Sequence, residues 1–379
     1  MWPVSGEIHR PLGQNRKKSK TRSAQGRSWV YVACTFACLA GAAIFLSLGS
    51  DDAFRTPQSQ KGSSPEIASA QAPQAATPAP NAAIPADAVA PPVPTGPKII
   101  TVQAPSRIAQ DRRTAHLPDP DLVEKSSHGL LPVRAADGKR PLDAYARGWS
   151  GARGARIAIV IGGLGLSQTG TQNAIRALPE EVTLAFAPHG NSLQRWMQNA
   201  RQSGHEILMQ VPLEPFDYPR INPGRNTLTV GATASENIDR LHWAMGRTTN
   251  YAGIMNYMGA RFTADRPAMT PVMTEIGKRG LFYLDDGTSA RSSADSIAAA
   301  QGTPFAAADL VIDAQQERGA ILQKLDELER TARAKGTAIG IGSAFDTTVY
   351  AVSAWVNEVK ARGVEIVPVS ALVRDPERE

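Results

Sequence analysis

The sequence predicts an α/β fold of barrel-like form, with seven or eight mostly parallel strands. Two observations carry this. From about residue 154 to residue 374, short apolar runs alternate with polar or amphipathic segments of helix length. The runs themselves show little apolar–polar alternation, the pattern of strands buried on both faces, as in a parallel sheet. An open doubly wound sheet is the other architecture compatible with that pattern.

The first run, IAIVI at 157–161, enters a glycine-bearing turn and then a helix near 169–177. VTLAFAP (182–188) precedes a helix near 192–203, and EILMQVP (206–212) leads through a long loop to a helix over 235–248. GIMNY (253–257) is followed by a helix at 268–279, and LFYLDDG (281–287) by a segment at 292–301. DLVID (309–313) precedes the strongly helical ERGAILQKLDELERTARAK. AIGIGSA (338–344) precedes a helix at 348–362, and VEIVPVS (364–370) closes the series.

The domain at 154–379 is preceded by segments of quite different composition. Residues 1–28 hold Arg10, Arg16, Lys17, Lys18, Lys20, Arg22 and Arg27 against Glu7, so much of the chain's formal charge of +6 sits there. A nucleic-acid surface on the folded part is therefore not implied. Residues 29–48, WVYVACTFACLAGAAIFLSL, carry no charge, and a helix rising roughly 1.5 Å per residue over that length spans a bilayer core of about 30 Å. Basic residues before it and Asp51 and Asp52 after it place the N-terminus in the cytoplasm and the rest outside. The run exceeds a signal-peptide core, which favours an uncleaved single-pass anchor over a cleaved leader. Both cysteines, Cys34 and Cys38, lie inside it, so no disulfide braces the domain. Residues 49–118 are rich in Ala, Pro, Gln and Ser, too poor in apolar surface to offset chain entropy, and read as a disordered linker. Residues 119–153 regain Leu, Val, Tyr145 and Trp149 and read as an extended arm packed on the domain.

In either α/β architecture ligands bind at the carboxyl ends of the strands. Those ends carry Gly162 and Gly163, His189, Gln210 and Glu214, Asn256 and Tyr257, Asp285 and Asp286, Asp313, Ser343 and Ser370. The convergence of Glu214, Asp285, Asp286 and Asp313 on one rim points to a site there; each is also a residue type that caps helices and orders loops. A dinucleotide loop is missing its third glycine after Gly163-Leu164-Gly165, and no Walker motif, H-E-x-x-H pair or G-x-S-x-G elbow occurs. His205 begins a strand, away from the ligand-bearing end, and reads as a packing residue.

RIAIVIGGLGLS, LPEEVTLAFAPHGN, GHEILMQVPLEPFDYP, NPGRNTLTV, IMNYMGARFT, GLFYLDDGTSARS, ADLVIDA, GIGSA and VPVSAL, in that order and spacing, resemble the divergent polysaccharide deacetylase family, in its membrane-anchored bacterial branch. The resemblance implies a (β/α) barrel-like fold related to metal-dependent carbohydrate esterases. It also implies an Asp-Asp pair at the end of the first strand, where this chain has Gly162 and Gly163. Histidines expected after the third, fourth and penultimate strands are replaced by Gln210, by Tyr257 beside Asn256, and by the stretch Gly342-Ser343-Ala344-Phe345. No metal is therefore expected at the family's position; a divalent cation held by the surviving carboxylates alone is the alternative.

These readings give a membrane-anchored, deacetylase-like protein of the inner membrane, its domain in the periplasm, meeting a cell-envelope carbohydrate with metal-dependent deacetylation impaired or lost. Asp285, Asp286 and Glu214 are its candidate catalytic residues, and Gln210, Asn256, Arg261, Arg291, Asp313 and His189 its candidate substrate contacts. An active carbohydrate esterase or glycoside hydrolase using the carboxylates and an envelope scaffold are the alternatives. Topology reporters fused after residue 60 are expected to be active only outside the cytoplasm; activity confined to the cytoplasm would overturn the orientation.

Overall fold

The computed structural model describes residues 111–378. The anchor predicted at 29–48 and most of the predicted linker lie outside these residues; among the described residues, no helix is long and apolar enough to cross a membrane. Residues 111–118, which composition assigned to the linker, form turns. Ala115 is buried there, and the Asn250 side-chain amide donates to the carbonyls of Ala115 and Leu117 at 3.0 and 2.8 Å.

The arm is a hairpin, β1 (Val123–Ser126) and β2 (Gly129–Pro132), followed by a short helix, α1 (Pro141–Tyr145). The alternating part then runs β3 (Arg156–Leu164), α2 (Gln168–Ala177), β4 (Thr183–Phe186), α3 (Leu193–Gln202), β5 (Ile207–Leu213) and α4 (Ala234–Met245). It continues with β6 (Gly253–Met258), α5 (Arg266–Lys278), β7 (Phe282–Asp285), α6 (Ala294–Gln301), β8 (Phe305–Ala307) and β9 (Leu310–Val311). The last elements are α7 (Arg318–Lys335), β10 (Thr337–Ser343), α8 (Asp346–Ala361) and β11 (Glu365–Ile366). Helix starts follow local chemistry: Ser167 caps α2, Thr233 and Glu236 form a reciprocal capping box on α4, and Asp265 caps α5.

The sheet is parallel and ordered β8-β7-β6-β5-β4-β3-β10-β9, with β11 beside the start of β3. Its two ends, β8 and β9, are consecutive in the chain. The Ala308 N–H donates to the Asp285 carbonyl and the Asp309 N–H to the Ile339 carbonyl, at 2.9 and 2.8 Å. One segment thus pairs with β7 by its first half and with β10 by its second, and the sheet curls into a barrel-like wall, not an open doubly wound sheet. Strand β8 was not visible in the sequence because it carries one large apolar residue, Phe305. VEIVPVS gives only the two residues of β11; Pro368 has no N–H to continue the ladder, and Val369–Leu372 coils into a 3-10 turn.

Alternate residues of each strand serve two cores. Ile157, Ile159, Ile161, Leu184, Phe186, Ile207, Met209, Ile254 and Tyr283 pack outward against the helices. Ala158, Val160, Ala185, Leu208, Met255, Phe282, Leu284, Ile339 and Ile341 form the inner core. Leu122, Leu142 and Tyr145 of the arm join that inner core. The Leu142 N–H donates to the carbonyl of Gly280, just ahead of β7, so the arm closes the end of the barrel where the strands begin. Arg140, itself buried, forks onto Asp375 at 3.0 and 2.6 Å, joining the arm to the chain's last turn. Glu206, also buried, accepts from the Arg147 N–H, the Ser370 N–H and the Ser370 hydroxyl. Burial pushes its carboxyl above the usual range, against the pull of those bonds. His205 is buried with Nδ1 on the Val182 carbonyl at 2.9 Å, the packing role its position predicted.

Leu142→Ala leaves a void in the plugged end. It is expected to lower stability by about 2–5 kcal/mol in urea unfolding; a loss within error of zero would show that the arm is dispensable.

Candidate functional site

With the strand starts covered by the arm, the strand ends are left for a ligand. A cavity of about 460 Å³ lies there, a volume typical of small-molecule sites. Its wall comes from the ends of β3, β5, β6 and β10 and from the turns after β7 and β9.

Strand parity accounts for four of the strand-end residues that reach it. Val160, Leu208 and Leu284 belong to the inner core, so Gly162, Gln210 and Asp286, each two residues further on, fall on the inner face. Val311 packs on the same core and puts Asp313 there too. All four line the cavity, with Gly163 and Asn256. Asp285 is one residue out of phase. Its carboxylate points away from the cavity, accepting from the Gly287 N–H at 2.9 Å and the Ser292 hydroxyl at 2.5 Å.

Four other expected residues lie away from the cavity. Glu214 lies beyond the end of β5, buried in an ion pair with Arg261 at 2.8 Å and accepting the Val230 N–H at 2.6 Å. It braces the long loop before α4, and it takes Arg261 with it. Arg291 is exposed in the turn before α6. His189 donates to the Arg225 carbonyl at 2.7 Å and packs on Trp243, ring centres 5.3 Å apart. Neither these four residues nor Asp285 lines the cavity.

The turn at the end of β3 is a bulge. Ile161 pairs with Leu184 and Leu164 with Phe186, so β3 carries one residue more than β4. Gly163 takes up that residue at φ +78°, a left-handed conformation that glycine adopts without strain. Its N–H donates to Gln210 Oε1 at 2.8 Å. That bond fixes the orientation of the amide and sends Nε2 over Gly162, 2.7 Å from where a Cβ would sit. Gln210 thus fills the space that a side chain at 162 would need.

On the opposite wall Asp286 Oδ1 accepts the Thr288 N–H at 3.0 Å and its hydroxyl at 2.7 Å, while the Asp286 N–H donates to Asn256 Oδ1 at 2.9 Å. Asp313 Oδ2 accepts the Ser343 N–H at 2.6 Å and the Thr348 hydroxyl at 3.0 Å. Burial holds both carboxyls above the usual carboxylate range, and the nearby Asp285 charge adds to the rise at Asp286. The mouth carries Leu166, Tyr257 and Phe345, exposed by 59 %, 44 % and 44 %. Leu166 and Phe345 were missed as contacts; the signal was a large apolar residue set directly after a glycine-rich strand end.

The profile of the divergent polysaccharide deacetylases matches residues 159–373. The chain belongs to that family. It is 30 % identical to an uncharacterized protein of Haemophilus influenzae over 199 residues, 52 % of this chain and 70 % of the relative. It is 26 % identical to the uncharacterized protein YibQ of Escherichia coli K12 over 223 residues, 59 % of this chain and 68 % of the relative. The crystal structure of an uncharacterized protein from Agrobacterium tumefaciens C58 is 60 % identical, with a TM-score of 0.64, and covers 64 % of this chain and 99 % of its own.

The divalent metal that the deacetylase resemblance implies does not fit the donors present. The strand ends offer two glycines and two amides beside two separately anchored carboxylates. Among the described residues, no group of three or more His, Cys, Asp or Glu side chains is placed to hold a metal ion.

Gly162→Ala is expected to displace the Gln210 amide and cost about 1 kcal/mol, the worth of the lost hydrogen bond. In a Gln210→Ala background the same change should cost almost nothing. Equal costs in both backgrounds, measured by urea unfolding, would show that the two positions are independent.

Proposed function

We propose that this protein binds a cell-envelope carbohydrate in the strand-end cavity and does not deacetylate it by the metal-dependent route. The observation that carries the reading is the Gln210 amide seated over Gly162. Hydrolysis of an acetamide by that route needs a metal to polarise the carbonyl and acidify water, and a carboxylate to accept the proton. Loss of a general base alone costs about 10²–10⁴ in rate; here the position holds no side chain and its space is occupied. Membership of the family and the apolar mouth support a carbohydrate ligand, since pyranose rings present apolar faces that aromatic side chains such as Tyr257 and Phe345 can cover. The apolar, charge-flanked run at 29–48 supports an anchor in the inner membrane with the domain on its periplasmic side.

A second reading draws on one observation. Asp286 and Asp313 are two buried carboxyl groups in one cavity, each raised from its ordinary value by burial, and glycoside hydrolysis employs a pair of carboxyl groups about the scissile bond. This would make the protein a glycoside hydrolase with Asp286 as its acid, and Asp285 and Glu214 would play no part in it.

Full-length protein purified without chelators is expected to carry no stoichiometric zinc or nickel by elemental analysis and to leave acetylated glucosamine oligomers intact. One metal per chain would sink the main reading. Glycan cleavage abolished by Asp286→Asn would establish the second.

A further inference from the structure

The inference made here rests on the carbohydrate-binding reading and narrows its ligand. Among the described residues, those lining the cavity include the two carboxylates Asp286 and Asp313 and no lysine, arginine or histidine. The two are only 6 % and 7 % exposed, and each is anchored through one oxygen to hydroxyl and main-chain donors. A carboxylate accepts about four hydrogen bonds, so each keeps acceptor capacity on its cavity side. An N-acetyl group would bring a single N–H donor and no charge to these oxygens. A protonated amine would bring three donors and a compensating charge.

We propose that the cavity binds a glycan that has already lost its acetyl groups, its protonated glucosamine-type amines pairing with Asp286 and Asp313 while the sugar faces lie against Tyr257 and Phe345. The Gln210 Nε2 donor over Gly162 and the Ser343 hydroxyl remain for ring hydroxyls. Charge pairing in a cavity is stronger than in water, and an ammonium offsets the burial that raises both carboxyls. A site of this kind discriminates by charge, since a neutral acetamide leaves both carboxylates without a counter-ion. The reaction that supplies its ligand is an amide hydrolysis carried out by another protein, so this one stands downstream of deacetylation.

The test is calorimetric titration of the full-length protein with two probes, the glucosamine trimer and the N-acetylglucosamine trimer. The free-amine trimer is expected to bind at least about tenfold more tightly, the worth of one charged hydrogen bond. Asp286→Asn and Asp313→Asn should each abolish most of that preference. Both carboxyls sit above their unfolded values, so their ionised forms cost stability once pH exceeds the unfolded values. At neutral pH the Asn variants should therefore melt at or above wild type. Equal or tighter binding of the acetylated trimer would overturn the inference and leave the carbohydrate reading intact; binding of neither trimer would overturn both. A preference kept by variants that melt like wild type would also overturn it. Should either variant fail to fold, wild-type protein decides: a preference for the free amine that does not shrink with added sodium chloride overturns the proposal.

Discussion

A strand in a curled parallel sheet has two buried faces, and its side chains must alternate between them. In this protein that constraint assigns nearly everything else. On the outer face the helices require Ile157, Ile159 and Ile161; on the inner face the barrel axis requires Ala158 and Val160. Prolonging the inner series past the strand ends reaches Gly162, Gln210, Asp286 and Asp313 in the cavity wall; Asn256, in phase with Ile254, lines it as well. Adjacent aspartates, identical in chemistry, receive opposite duties: Asp286 faces the cavity and Asp285 ties down the turn beside it.

The same rule explains what could be read from the sequence. Strand and helix positions were legible because double-sided burial gives uninterrupted apolar runs, and the arm was legible because Leu, Val and Tyr145 reappear after a stretch lacking them. Strand β8 was not, since its pairing comes from its place in the sheet and Phe305 alone carries the apolar signal. Gln210, Asn256, Asp286 and Asp313 were found at the cavity by counting strand ends. Glu214, Asp285, Arg261, Arg291 and His189 were counted by the same procedure and belong elsewhere. Proximity to a strand end states only that a residue is near the rim. Phase along the strand states which way it points, and that phase was present in LFYLDD, where Phe282 and Leu284 lead to Asp286. The Glu214–Arg261 pair required the loop before α4 to be seen folded back.

The ends of the barrel differ in chemistry as well as in occupancy. Where the strands begin, charged groups are paired or heavily bonded: Arg140 with Asp375, Glu206 with Ser370 and Arg147. Where they finish, Asp286 and Asp313 have no basic neighbour in the cavity wall among the described residues. Buried carboxylates without a cation lower stability, and such a cost is characteristic of places where binding, not folding, has the first claim on the residues.

The contact between Gly162 and Gln210 bears on how the protein can change. A carboxylate introduced at 162 meets the amide of Gln210; removing that amide first leaves the Gly163 N–H without its acceptor. Each single step costs the hydrogen bond between Gly163 and Gln210, about 1 kcal/mol. Two residues far apart in sequence are thus coupled, and a side chain enters at 162 only as the Gln210 amide gives way.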